Sequence, residues 1–319
     1  MTRAAALTFL LIVLAACGGA PGPTSATVAP TPCSPNVEIT GFSDVLDGRE
    51  YGARRTWPVA GLSGLAVDRD GALLALSDRS VLFTLDPRTR EPTSATPLVD
   101  GTGASLDAEG IAVEGDGTRL VTSESDVAVL RFDRAGRVEG RLDVPPDVAD
   151  RARRNETLEG VAVLAPGGPV VAAMEGALDG DDPGVRRFVT WPGAGWTYRP
   201  DPGLDVSELA ATGDGRLLVI ERSYTSGVGN TVHLALADPA RATDGALPRT
   251  LLADLGACPS LGATAQQAQA NPLLDNVEGM TVLGRTIDGA LRVLLVSDDN
   301  QDPEQTTRLY DVLVRLPPG

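Results

Sequence analysis

Acidic residues recur in pairs at the two ends of short apolar segments along this 319-residue chain. The two acids of a pair are equidistant from a Gly-containing turn, so a β-hairpin would place them side by side at the end away from the turn. The pairs are Glu109 with Glu124, Glu159 with Glu175, Glu208 with Glu221, and Glu278 with Asp298, and Ser63 with Asp78 follows the same rule. Adjacent carboxylates repel each other, so such pairs require protons, arginines or cations.

Clustered oxygen ligands without Cys or His suit a hard cation. Calcium fits best, because it accepts about six to eight oxygen ligands in flexible geometry. Arg79, Arg154 and Arg222 lie beside or near these acids and are candidate neutralisers or anion contacts. The alternative is that polar residues at strand ends only bond backbone groups and face solvent. The predicted calcium ligands are Glu109, Glu124, Glu159, Glu175, Glu278 and Asp298.

The amino-acid composition excludes or restricts several kinds of catalytic site. All 27 basic residues are arginine, which excludes a lysine nucleophile or Schiff base, and His233 is the single histidine. A Ser-His-Asp triad or a multi-histidine zinc site would have to be built around that one residue. The 43 acidic residues give a net charge of −16, which repels phosphate backbones, so we expect no nucleic-acid partner. We also expect a monomer.

The paired acids belong to a repeated unit that must position them. Each unit has an opening phrase, a turn and a second apolar run, and the clearer units continue into a third strand and a weaker fourth. Four strands recurring roughly every 50 residues predict an all-β fold, a β-propeller, in which the first strand of each blade lines the channel. The 36 Gly and 24 Pro residues supply the many turns that this fold requires. The five opening phrases are SGLAV (63–67), EGIAV (109–113), EGVAV (159–163), SELAA (207–211) and EGMTV (278–282).

Five repeats are countable, and the number of blades stays open between five and six. Segments 37–42 and 54–59 lie upstream of the first repeat. They either close the ring against the C-terminal strand 308–316 or contribute to a sixth blade. An insertion around 240–275 contains a helix-prone segment, ATAQQAQA (263–270).

The N-terminus is typical of an exported protein. Arg3 precedes an apolar run too short to span a bilayer, and Leu14-Ala15-Ala16-Cys17 resembles the lipobox of bacterial lipoproteins. We therefore predict a signal peptide over 1–16, a lipidated Cys17 with a flexible tether over 17–35, and a propeller domain over 36–319. The protein would be exported and held by its lipid on the outer face of the cell membrane, or on the outer membrane or in the periplasm. The alternative is an ordinary signal peptide cut nearby.

Two cysteines remain after this processing, Cys33 and Cys258. In an oxidising compartment they predict one disulfide that pins the start of the domain to a distant loop. The alternative is two free thiols.

Several runs together resemble the phytase-like family, known as "esterase-like activity of phytase". The resemblance covers essentially all of 40–316. VSDDNQDP (296–303) matches the closing D-N-N-F-type motif of the family only in part, because Asp299 and Gln301 stand at its second and fourth places. It implies a β-propeller and a hydrolase of phosphoric or carboxylic esters, and it leaves calcium dependence open. The runs are GLSGLAVDRDGALLALSDR (61–79), DAEGIAVEGDG (107–117), RRNETLEGVAV (153–163), LLVIERSY (217–224) and DNVEGMTV (275–282).

For such a hydrolase we predict that rim acids hold calcium, which screens a phosphate and lowers the pKa of a bound water. Glu221, Arg222 and Arg79 are the predicted catalytic residues, the two arginines holding phosphate oxygens. The net charge fits a neutral ester or lactone better than a highly anionic substrate. A non-catalytic binding or scaffold propeller at the cell surface and a metal-dependent lactonase are the alternatives.

Overall fold

Apolar runs on either side of tight turns form four-stranded antiparallel sheets in this protein. The structure is a computed structural model that describes Met1 and residues 32–319. The predicted signal peptide, the lipidated Cys17 and most of the 17–35 tether therefore lie outside the described residues.

The strands group into five sheets, each of which is one blade. Blades one to four each use four consecutive strands, and blade five combines the last three strands with the first. Strands β2 and β3 form a separate hairpin. In chain order the strands are β1 (Val37–Ser43), β2 (Glu50–Tyr51), β3 (Trp57–Pro58), β4 (Leu62–Val67), β5 (Leu73–Ser77), β6 (Val81–Leu85), β7 (Pro92–Pro97), β8 (Ala108–Val113), β9 (Arg119–Ser123), β10 (Ala128–Phe132), β11 (Val138–Asp143), β12 (Leu158–Val163), β13 (Val170–Met174), β14 (Arg186–Trp191), β15 (Trp196–Tyr198), β16 (Asp205–Ala211), β17 (Leu217–Thr225), β18 (Gly229–Ala237), β19 (Arg249–Asp254), β20 (Asn276–Arg285), β21 (Leu291–Asp298) and β22 (Leu309–Val314).

The fold is a five-bladed β-propeller, which confirms the predicted fold and settles the number of blades. The innermost strands β4, β8, β12, β16 and β20 contact one another in that order, and β20 returns to β4. Strand β1 closes the ring by pairing antiparallel with β22. Segment 54–59 supplies only the short β3 of the hairpin, so no sixth blade forms.

Burial follows the position of a strand within its blade. Second strands such as β5 and β13 are buried along their whole length, because neighbouring blades cover both of their faces. The outermost β11 alternates between half-buried and exposed residues. The apolar cores lie between adjacent blades.

Near the axis the innermost strands of blades two and three approach so closely that a side chain at Gly110 would not fit. A Cβ added to Gly110 would lie 2.4 Å from the carbonyl oxygen of Glu159, on the next blade. Glycine at this place therefore allows the backbones of blades two and three to meet.

Helical structure is minor in the described residues. It comprises α1 (Pro146–Ala149) and the 3-10 turns Pro239–Arg241 and Leu255–Ala257, and no described helix has the length and apolarity needed to span a membrane. The expected helix over 263–270 does not form. A helix of that length is marginal on its own, and here Gln267 donates to Asp275 while the side-chain oxygen of Gln269 accepts from the Asn230 N–H.

A disulfide joins Cys33 to Cys258 in the structure. It links the residues just before β1 to the insertion that follows blade four. Ser34 reinforces this connection by donating a hydrogen bond of 2.7 Å to the carbonyl of Leu252. Together these contacts hold the strand that closes the ring.

Candidate functional site

Every innermost strand carries a β-bulge at the same place, at the end of the channel where the opening phrases of the repeats lie. The pairing register shifts by one residue at this point in all five blades. A bulge bends its strand and re-aims a side chain, so equivalent residues turn toward one mouth of the channel. The residues in these bulges include Ser63, Glu109, Glu159, Ser207 and Glu278.

The ends of the second strands lie beside these bulges. The backbone N–H of Glu124 donates to the Asp107 carbonyl just before β8, and that of Glu175 donates to the Thr157 carbonyl just before β12. In blade five Asp298 pairs with Asn276, next to Glu278. The structure therefore brings together three of the predicted acid pairs. With Asp78 of blade one they form a cluster that we name the acidic mouth: Asp78, Glu109, Glu124, Glu159, Glu175, Glu278 and Asp298.

The predicted pairing of Glu208 with Glu221 in blade four is wrong. Glu208 faces Ile220, and Glu221 faces Val206. The bulge adds one residue to the strand, and a one-residue shift turns a side chain to the opposite face of a sheet. Blade four therefore presents Ser207 at the bulge, as blade one presents Ser63, and it presents Arg222 where the other blades present an acid at the end of the second strand.

Glu221 instead lies between blades three and four, fully buried. Its carboxylate accepts hydrogen bonds from the Arg249 guanidinium at 2.6 and 2.7 Å and from the Tyr198 hydroxyl. Arg249 also donates to Asp201, whose carboxylate lies 2.8 Å from Nδ1 of His233. Glu221, Asp201 and His233 have ligand atoms within 4.8 Å of one another, but Arg249 already supplies the positive charge that a metal would bring. The structure thus separates Glu221 from the acidic mouth.

Burial shifts the protonation of the acidic mouth. It raises the pKa of Glu159 well above its usual range, and the charges of Glu109 and Glu175 add to this effect. For Glu175 burial outweighs the opposing charge of Arg222 and raises the pKa to about 7. Burial and the Glu278 carboxylate likewise raise the pKa of Glu109 and Asp298. In each case burial and the neighbouring carboxylates favour the protonated form.

The two predicted arginines differ in their surroundings. Arg222 is half-buried and donates to Glu278 at 2.5 Å, while its Nε has no hydrogen-bond partner among residues 32–319. Burial alone would lower the pKa of Arg222, but the carboxylates of Glu278 and Glu175 raise it. Arg79 has a side chain that is 68% exposed, and its Nε lies 3.7 Å from Asp78. Arg222 thus compensates charge inside the mouth, whereas Arg79 stands at its edge.

The donor atoms of the mouth fit a hard cation. Glu124, Glu159 and Glu175 each offer a carboxylate oxygen, and these three oxygens lie within 4.8 Å of one another. The set contains only oxygen donors and carries raised pKa values, as expected for acids that share a small space. Blades two and three thus supply three of the six predicted calcium ligands at one point.

Glu208 is buried among the innermost strands below the mouth, at a place that the sequence analysis did not predict. It is 1% exposed and stands where the other blades carry Gly64, Gly110, Gly160 and Gly279. Its Oε1 accepts from the N–H of Leu209 at 2.8 Å, while its Oε2 has no hydrogen-bond partner among the described residues. Burial raises its pKa well above the usual range, against the opposing effect of nearby backbone N–H groups. The sequence did contain a signal for this place, because the second residue of the opening phrase is glycine in four repeats and Glu208 in the fourth.

The solved structures that match this chain share little sequence with it. Glutaminyl cyclase from Myxococcus xanthus has 14% identity and a TM-score of 0.47, covering 88% of this chain and 97% of its own. A gluconolactonase from Xanthomonas campestris has 15% identity and a TM-score of 0.44, covering 80% and 86%. Virginiamycin B lyase from Staphylococcus aureus, in a catalytically inactive form with quinupristin, has 9% identity and a TM-score of 0.42, covering 84% and 70%.

Comparison with curated proteins finds no match. The model of the phytase-like family, described as "Esterase-like activity of phytase", matches residues 57–301. This match spans more than half of the chain and contains the bulges and second-strand ends that form the acidic mouth. The chain therefore belongs to the phytase-like family.

Proposed function

We propose that this protein is a cation-dependent hydrolase of ester or phosphoester bonds, with calcium as the cation and the acidic mouth as the active site. The observation that carries the proposal is the acidic mouth itself, where seven carboxylates face one half-buried arginine, Arg222. Membership in a family described by an esterase-like activity supports the reaction class. The oxygen-only donor set supports calcium.

Glu124, Glu159 and Glu175 would hold the cation, with Glu109, Glu278 and Asp298 completing its surroundings. When bound, calcium supplies Lewis-acid polarisation of a carbonyl or phosphoryl oxygen and lowers the pKa of a water.

The chain's own residues orient the substrate and limit its access. Arg222 holds the Glu278 carboxylate, and the exposed Arg79 can contact an anionic oxygen at the edge of the mouth. Glu208 is buried among the innermost strands behind the mouth, and the substrate would enter from the mouth side. The net charge of −16 disfavours a highly anionic substrate unless several cations are bound, so an ester with at most one anionic group is the better match.

The test is calorimetric titration of calcium into the chelator-stripped protein, together with ester and phosphoester turnover. We expect calcium binding in the wild type, and a loss of affinity of at least about tenfold in Glu159→Gln, because one ligand charge is removed. Glu139→Gln is the matched control, since Glu139 is exposed on the outermost strand of blade two. Turnover should fall with calcium affinity in Glu159→Gln and stay unchanged in the control.

Two results would contradict this proposal. One is the absence of binding at millimolar calcium. The other is full hydrolytic activity in a Glu159→Gln protein that has lost calcium. Calcium binding without turnover of any ester would instead favour a binding propeller at the cell surface.

We also propose that the chain is exported and anchored by a lipid on Cys17. The lipobox-like sequence supports the anchor, and the Cys33–Cys258 disulfide supports an oxidising compartment. We expect the full chain in the membrane fraction of a bacterial host and Cys17→Ser in the soluble exported fraction. Recovery of the wild type in the soluble fraction would contradict the anchor.

A further inference from the structure

A cavity of about 410 Å³ opens beside the acidic mouth, between blades two and three. Its polar lining consists of Asp107, Glu124, Ser125, Arg154, Asn155 and Thr157. One wall, Glu124, also belongs to the three acids whose oxygens lie within 4.8 Å of one another. The cavity is therefore contiguous with the proposed cation position.

Hydrogen bonds hold Glu124, the residue that the cavity shares with the proposed cation position. The backbone N–H of Thr157 donates to Oε1 of Glu124 at 3.2 Å, and the Thr157 hydroxyl donates to the Glu124 carbonyl at 3.1 Å. These two bonds tie blade three to the end of the second strand of blade two. A molecule in the cavity would thus lie against a carboxylate that is held in place.

Arg154 is the positive group of this cavity. It forms no ion pair or side-chain hydrogen bond with any of the described residues. Its neighbour Arg153 behaves differently, because it bonds Asp179 at 2.9 Å and lies 3.6 Å from Glu156. In a chain with a net charge of −16, a guanidinium that lines a cavity without a carboxylate partner is available to an external anion.

We propose that this cavity binds an anionic group of the substrate, a phosphate or carboxylate oxyanion, and that Arg154 determines this specificity. The inference rests on the proposed function. Asp107 and Glu124 line the same cavity and would repel an anion unless a cation neutralises the mouth. Anion and calcium therefore bind with positive coupling, each raising the affinity of the other by the same factor.

The test measures binding of methylphosphonate and of acetate by calorimetry, with and without saturating calcium. Methylphosphonate replaces inorganic phosphate because calcium phosphate precipitates. The variants are Arg154→Met and, as the matched control, Arg153→Met. We expect anion affinity in calcium to fall by at least about tenfold in Arg154→Met and to stay unchanged in Arg153→Met. The calcium isotherm measured without anion should be the same in both variants, and thermal melts establish that both are folded.

The probe that binds more tightly identifies the phosphate or the carboxylate as the group recognised, and either answer supports the subsite. Equal anion affinity in the two variants, or anion binding that ignores calcium, would overturn the subsite alone. A wild type that binds no calcium would overturn the proposed function together with the subsite. The separate calcium isotherm tells these failures apart.

Discussion

Glu208 shows how one side chain changes the centre of the propeller. In the other four blades glycine occupies its position, and the innermost strands meet there without side chains. Its carboxyl group lies beside the N–H groups of Val161, Leu209 and Met280, from the innermost strands of blades three, four and five respectively. Since burial raises its pKa well above the usual range, we expect a protonated carboxyl that acts as a hydrogen-bonding plug.

Two substitutions of Glu208 test this role. Glu208→Gln retains an oxygen that can accept from Leu209, so we expect a change of less than about 1 kcal/mol in the free energy of unfolding. Glu208→Leu removes that acceptor and leaves a buried N–H unpaired, which costs about 1–3 kcal/mol. Denaturant unfolding measures both values. Equal losses in the two variants would show that the charge of an ionised Glu208 stabilises the channel, contrary to the plug.

At the scale of elements, turn-centred counting predicted most of the site and failed in one blade. It correctly paired Glu109 with Glu124 and Glu159 with Glu175. Both acids of each pair lie at the same end of a hairpin, and the bulge in the first strand leaves them at that end. In blade four the same count selected Glu221, which lies one residue before Arg222. The predicted position of Glu221 along the strand was wrong by one residue, and this error places its side chain on the face of the sheet opposite to that of Arg222.

An alignment of the opening phrases would have found the correct residues in blade four. SELAA set against SGLAV places Ser207 with Ser63 and Glu208 with Gly64. Other features had no local signal. The pairing of β1 with β22 joins opposite ends of the chain, and the cavity beside Glu124 depends on a loop that blade three contributes.

At the scale of the whole molecule, the acidic mouth exists only in the closed ring. Its seven carboxylates come from blades one, two, three and five, and blade four contributes Arg222. Closure depends on the β1–β22 pairing and is reinforced by the Cys33–Cys258 disulfide. Ionised carboxylates repel one another across the mouth and therefore oppose closure, whereas protons or a cation offset that repulsion.

This link between charge and closure predicts how stability depends on pH and calcium. The pKa of Glu175 is about 7 in the folded protein and 4.5 as its ordinary value, so its favourable contribution is complete below about 4.5. As the pH rises toward about 7, the chelator-stripped protein should lose about 2–3 kcal/mol of this contribution. Calcium should reverse the trend, since it binds the ionised carboxylates and stabilises the folded state more at high pH.

The measurement is chemical unfolding at about pH 5 and about pH 8, with chelator and with calcium, for the wild type and for Glu175→Gln. The variant cannot ionise at this position, so subtracting its pH profile removes the contribution of all other groups that titrate alike in both proteins. Relative to Glu175→Gln, the chelated wild type should have a lower free energy of unfolding at the higher pH than at the lower pH. Calcium should raise the free energy of unfolding of the wild type more at the higher pH. A wild type that matches Glu175→Gln at both pH values, with and without calcium, would mean that the acids of the mouth are not linked to ring closure.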